Sequence, residues 1–178
     1  MSGPARFLSG LVVSAGLGLG VSGCITDAEE RLISTALDCD DCQEERAMVT
    51  TVGWRAVPLL GLALYGPGAD EISNLTIQFG RAHQIAAPGG GDPASYVNYH
   101  LSNYRAVYQR RAAMFLGDIA YTCPSRFCRD QIRELLAAAA ADSAALGPSG
   151  RIFRGDVVRT ILRQSMRADS AVAMPISP

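Results

Sequence analysis

The chain has 178 residues, 48% hydrophobic and 7% aromatic, with a formal net charge of −1. It is too apolar to be disordered and too short for two comfortable domains. All 16 basic side chains are Arg, and the near-neutral balance gives no reason to expect nucleic acid as a partner. Aromatic residues are few and β-branched residues seldom cluster, which argues against a sheet protein and for an all-α one.

Charge is unevenly placed. Asp27, Glu29, Glu30, Asp38, Asp40, Asp41, Glu44 and Glu45 crowd one stretch, and Arg151, Arg154, Arg159, Arg163 and Arg167 crowd another. The pattern fits two solvated faces, or ends that attract each other or an anionic surface.

From Phe7 to Thr26 no residue is charged, and Arg6 precedes this run. A positive start, an apolar middle and small residues ahead of a cut site describe a signal peptide over residues 1–23. A membrane-spanning helix is the rival reading. Gly10, Gly16, Gly18, Gly20 and Gly23 weaken it, because each costs a helix about 1 kcal/mol against Ala. The run closes on Val21-Ser22-Gly23-Cys24, which resembles the lipobox of bacterial lipoproteins. The resemblance implies lipid on the Cys24 thiol, cleavage before it and acylation of the freed amine. Two or three acyl chains would then hold the protein on a membrane, each buried methylene contributing about 0.8 kcal/mol. By the same analogy Ile25, where an Asp would favour the inner membrane, implies the outer membrane facing the periplasm.

Four cysteines remain: Cys39, Cys42, Cys123 and Cys128. In an oxidising compartment an even number suggests two disulfides. Local pairing, Cys39 with Cys42 and Cys123 with Cys128, is the simplest of three connectivities; cross-pairing would staple the domain ends. Two chemical alternatives compete. Cys39-Asp-Asp-Cys42 has the spacing of a thiol–disulfide redox pair, although its two Asp would raise the thiol pKa. The CxxC and the Cx4C together have the makings of a four-thiolate zinc site, which an oxidising space disfavours.

A first helix is expected from Thr26 or Asp27 to about Leu37, with acidic residues in its first turn suiting the helix dipole. A second runs from Gln43 to Val52 and stops at Gly53. A third starts near Trp54, carries Pro58 early, where a missing N–H does least harm, and ends at Gly66-Pro67-Gly68. A fourth spans Asp70 to Ile85. Ala87 to Pro93, with three consecutive Gly, is the clearest loop. The longest helix follows, Ala94 to Ala120, with Val97, Leu101, Tyr104, Tyr108, Phe115 and Ile119 on one face. Thr122-Cys-Pro-Ser breaks it. Helices over Ser125–Ala141 and Arg154–Arg167 come next, and residues 169–178 form a tail. The expected organisation is a leader (1–23), a lipidated start with the first helix (24–37), an all-helical domain (38–168) and the tail.

Three stretches look like HEAT-type helical repeats. Ala47-Met-Val-Thr-Thr-Val-Gly53 is followed by Ala56-Val57-Pro58 and Leu60, Leu64. Arg110 to Ile119, with Leu116-Gly117, has a partner helix at Cys128–Ala139. Asp156 to Leu162 would be a closing helix. The resemblance implies helical hairpins whose apolar sides are buried by stacking, leaving a surface for binding proteins. Gly53 and Gly117 stand further apart than the family period of about 40 residues, with a helix and the Pro-Gly loop between them. The fold expectation is therefore all-α: a HEAT-like array or an irregular helical bundle, with local disulfides.

Chemistry is hard to find. His83 and His100 lie in no metal-binding spacing, and His83 is expected to be an exposed helix residue. Tyr96, His100, Tyr104 and Tyr108, spaced by four, make one helix face aromatic and polar together. Such a face either packs its rings with hydroxyls at the rim or binds a partner. No nucleophile elbow, phosphate loop or dinucleotide loop appears, and Gly89-Gly-Gly91 lacks the preceding strand that a phosphate loop needs. No catalytic residue, metal or cofactor is expected. The sequence points to a lipid-anchored helical adaptor or scaffold of the bacterial envelope. It would bind another envelope protein through the Tyr stripe or a groove between repeats.

Overall fold

The computed structural model describes residues 25–39, 43–87 and 89–141, together with Gly155, Val158, Arg159 and residues 161–163. The leader, Cys24, Cys42 and the tail beyond residue 168 lie outside the described residues. The protein is all-α: α1 (Asp27–Asp38), α2 (Gln43–Val52), a 3-10 turn (Gly53–Ala56), α3 (Val57–Ala63), α4 (Ala69–Ala86), α5 (Pro93–Thr122) and α6 (Arg126–Ala141). Of the expected Arg154–Arg167 helix, the described residues are helical and the rest lie outside the description.

Local chemistry accounts for the boundaries. Thr26 caps α1 in a reciprocal box: its hydroxyl accepts from the Glu29 N–H at 3.2 Å, and the Glu29 carboxylate accepts from the Thr26 N–H at 2.9 Å. Asp92 caps α5, accepting from the N–H groups of Ala94 and Ser95. Pro93 occupies the first helical position, where its missing N–H is harmless. Gly53 stops α2 in the left-handed region, with φ of 64°. Beyond it the chain takes a 3-10 turn before α3, which the apolar spacing did not predict. Pro58 has no N–H to donate to the Trp54 carbonyl, so that carbonyl accepts from Val57 one residue earlier. α3 ends at Ala63, short of the expected glycines, as a turn through Gly66 (φ 109°) takes over.

One core joins the elements. Ile33 and Leu37 of α1, Val49 of α2, Val57 and Leu60 of α3, and Ile132 and Leu136 of α6 are buried together. They meet Phe115, Leu116 and Ile119 of α5. Val158 and Ile161 close the cluster. α1 is thus part of the same core as the helices that follow it.

α5 touches every other described helix: α1, α2, α3, α4 and α6 all pack on it. At 30 residues it is about 45 Å long, and only its second half lies in the core. Its first half extends beyond the bundle, and α4 packs substantially on α5 alone. The two form an arm to which α4 contributes a single buried residue.

Close approach to α5 depends on small residues. Ala112, Ala113 and Ala120 are buried between the larger knobs. Gly117 sits under Ile161: a Cβ placed there would lie 2.6 Å from Ile161 Cγ2. That atom belongs to a β-branched side chain with little rotamer freedom. Gly80 in α4 has nothing within 4 Å of the same position. The two glycines should therefore respond oppositely to Ala. Gly80→Ala should stabilise by about 0.5–1 kcal/mol through lost unfolded-state entropy. Gly117→Ala should destabilise by about 1–3 kcal/mol because overpacking outweighs the same gain. Urea unfolding of both variants measures the signs, and equal stabilisation would refute the close contact.

Candidate interaction surfaces

α2 lies along the second half of α5, held by a bidentate pair. The Arg46 guanidinium donates through Nε and Nη2 to the two oxygens of Asp118, with Nη2 at 2.7 Å. This planar fork fixes orientation as well as distance. Arg111 of α5 donates to the Leu37 carbonyl at 2.8 Å, satisfying an acceptor at the end of α1. Between α2 and α5 runs a shallow groove in three sections. The first, about 320 Å³, is lined by Gln43, Arg46, Val107, Arg110, Arg111, Met114 and Phe115. The second, about 450 Å³, shares Gln43 and Arg46 with it and passes Ala47, Thr50, Asp118 and Tyr121. The third, about 320 Å³, shares Thr50 and Thr122 with the second and ends at Gly53, Trp54 and Pro124. One end is rich in Arg with an apolar floor; the other is lined by Trp54 among threonines and small residues. Arg46 and Asp118 stand 72 positions apart, and no local pattern announces their pairing.

Tyr96, His100 and Tyr104 of the aromatic stripe face α4 from α5 across a seam, while Tyr108 packs against the bundle core. The Tyr96 ring centroid is 4.3 Å from His100 and 5.1 Å from His83. Phe79 of α4 lies 5.3 Å from His100. The arm is thus held by tilted aromatic rings, contacts worth about 0.5–1.5 kcal/mol each beyond area burial. His83, expected to be exposed, is 5% exposed. Phe79 and His83 are one turn apart on the same face of α4, and that spacing was the legible signal for it. Outside the seam, Tyr99 and Ile85 are exposed.

Tyr104 ties the arm to the bundle. Its hydroxyl lies in hydrogen-bonding contact with the carboxylates of Asp38, at the end of α1, and Glu71, in the first turn of α4. Its single proton can go to one of them at a time. Burial, followed by the two carboxylates, pushes its ionisation well above the ordinary phenol range. The neighbouring Tyr108 is pushed up to about 12 by burial, Glu71 and Asp38. Each ionisation would place a third negative charge beside the pair.

Cys123 and Cys128 form a disulfide joining the end of α5 to the first turn of α6. Their sulfurs are thereby unavailable as thiolate ligands. Cys39 is also disulfide-bonded; Cys42 lies outside the described residues. Among the described residues no group of three or more His, Cys, Asp or Glu is placed to hold a metal, and no helix is long and apolar enough to cross a membrane. No protein-family model matches the chain, and neither the curated proteins nor the solved structures include a significant match.

The raised phenols give a pH signature. Both ionise later in the folded chain than in the unfolded one, so the unfolded state releases these protons first. The stability they contribute is complete below pH 10 and falls as pH rises from 10 toward 12 and beyond. Tyr104→Phe should cost about 1–2 kcal/mol at neutral pH, because two carboxylates lose their donor. It should also flatten part of the alkaline decline. Denaturant midpoints at neutral and alkaline pH measure both effects; an unchanged midpoint and an unchanged decline would show that the hydroxyl does not hold the arm.

Proposed function

We propose that this protein is a lipid-anchored, non-catalytic helical adaptor of the bacterial envelope, facing the periplasm from the outer membrane and binding another envelope protein. The observation that carries the reading is Val21-Ser22-Gly23-Cys24 at the close of an uncharged apolar run. Cys24 would become the lipidated N-terminus. The Cys123–Cys128 disulfide supports it, since such bonds persist in exported proteins and are rare in the cytosol. So does Ile25, which is half-buried against the core: an anchor on the preceding residue would hold the bundle with no long spacer.

The groove between α2 and α5 is the contact surface this reading favours. Its apolar floor of Val107, Met114 and Phe115, beside Arg46, Arg110 and Arg111, suits an amphipathic segment with acidic residues. The stripe residues Tyr96, His100 and Tyr104 would support this surface indirectly, by holding the arm, and Tyr108 by packing against the core. In this reading the first helices of the HEAT-like stretches, 47–53 and 110–119, supply most of the groove's lining.

Cys24→Ser should abolish acyl modification and, because the cut follows lipidation, leave the chain at its full precursor mass. Intact-mass measurement of the wild-type protein should find an acylated N-terminus at Cys24. An unmodified Cys24 inside an uncleaved chain would refute the anchor. For the groove, Val107→Glu should reduce cross-linking to the partner in intact cells while leaving the helical content unchanged.

A further inference from the structure

One end of the bundle gathers features that share no role in the core. The start of α1 is there, because Glu29 in its first turn pairs with Arg55 of the 3-10 turn. Arg55 is next to Trp54, whose ring centroid lies 6.4 Å from that of Phe127 in α6. The end of α5 is there too, since Trp54, Thr122 and Cys123 line the same section of groove. Trp54 is 42% exposed, Phe127 62% and Tyr121 76%. The side chain of Arg126, beside Phe127, is 88% exposed. Three large aromatic rings are thus open to solvent on the end of the bundle where the mature chain would begin.

We propose that this end is a membrane-facing edge, in which Trp54, Phe127 and Tyr121 enter the headgroup layer of a phospholipid bilayer. The inference rests on the reading of Cys24 as the lipidated residue. Consecutive Cα atoms are about 3.8 Å apart, so lipid on Cys24 brings Ile25, and the end of the bundle with it, to the membrane surface. The interfacial layer on each side of the hydrocarbon is only about 5–8 Å deep. Trp and Tyr favour that layer because their rings are apolar and their N–H and O–H groups stay wet.

The charges at this end are mixed. Arg126 is exposed, but so are Asp27 and Glu30, and Arg55 is paired with Glu29. Attraction to anionic lipid therefore does not drive the contact. Ring insertion does, and it resists salt, unlike a contact made by surface charge. With the anchor and the aromatic edge on one end, the bundle stands on the membrane, and the arm of α4 and α5 projects away from it. Tyr104, where the arm meets the bundle, lies about 18 residues of α5 from Thr122, or about 27 Å of helix.

Trp54 is the chain's single tryptophan, so its fluorescence reports on this edge alone. The lipidated protein, purified from bacterial membranes and checked by intact mass, is reconstituted into phosphatidylethanolamine–phosphatidylglycerol vesicles. The mature chain carrying Cys24→Ser, made without residues 1–23 and free in solution, is the reference. Trp54 emission should shift to the blue, lose intensity when the lipids carry brominated acyl chains, and become less accessible to acrylamide. High salt should leave the quenching by brominated lipid unchanged. If the lipid is present by mass and Trp54 meets acrylamide as freely as in the reference, the orientation is wrong and the anchor stands. Protection from both quenchers would mean that a protein or a second copy covers the edge, which overturns the proposal. Quenching by brominated lipid that vanishes in high salt overturns ring insertion. A mass without lipid overturns the anchor and this proposal together.

Discussion

The packing of five helices on one shared helix is the constraint from which the rest of this structure follows. A single α5 can receive α1, α2, α3 and α6 around its second half only if some of its positions are nearly empty. Ala112, Ala113, Gly117 and Ala120 supply that space, and Phe115, Leu116 and Ile119 fill the gaps between the neighbours. Large and small residues are interleaved along this part of the helix, so that side chains of its neighbours fit between them. Because a close-packed interior transmits strain, a methyl added at the tightest position is felt across the core.

Sharing α5 also divides the molecule in two. Its second half belongs to an aliphatic core, while its first half has α4 as its one substantial neighbour and is held by rings. These halves differ in what holds them. Aliphatic burial contributes roughly 1.5–3 kcal/mol per large side chain. The arm has one buried residue on α4 and relies on Phe79, His83, Tyr96 and His100, with Tyr104 as its tie to the bundle. Local opening concentrates where buried apolar contacts are few, so the arm is the element whose position is most easily changed by binding. The bundle, cross-linked by the Cys123–Cys128 bond and by the Arg46–Asp118 fork, is the rigid part on which an interaction surface can be held.

The surfaces then separate by chemistry. The groove between α2 and α5 combines guanidinium groups with an apolar floor, whereas the end of the bundle near the start of α1 exposes rings with little net charge. The first is suited to the apolar side of a protein segment and the second to a layered, non-directional medium. That both lie on the rigid part, while the stripe holds the arm, gives each portion of the chain a distinct mechanical role.

Helices and their limits were legible because their causes are local. Thr26 with Glu29, Asp92 with Pro93, and Gly53 each act within a turn or so of the chain, and the structure keeps these limits nearly where the sequence placed them. The 3-10 turn before α3 has an equally local cause, the missing N–H of Pro58, and was legible in principle. The destination of each apolar face was not. That Tyr104 meets both Asp38 and Glu71, that Arg46 meets Asp118, and that His83 is buried against Tyr96 all depend on how far α5 runs past its neighbours. Helical periodicity says which residues share a face but carries no information about what that face meets. Only packing in three dimensions, set by the small residues of α5, decided whether the aromatic stripe would be a surface or a seam.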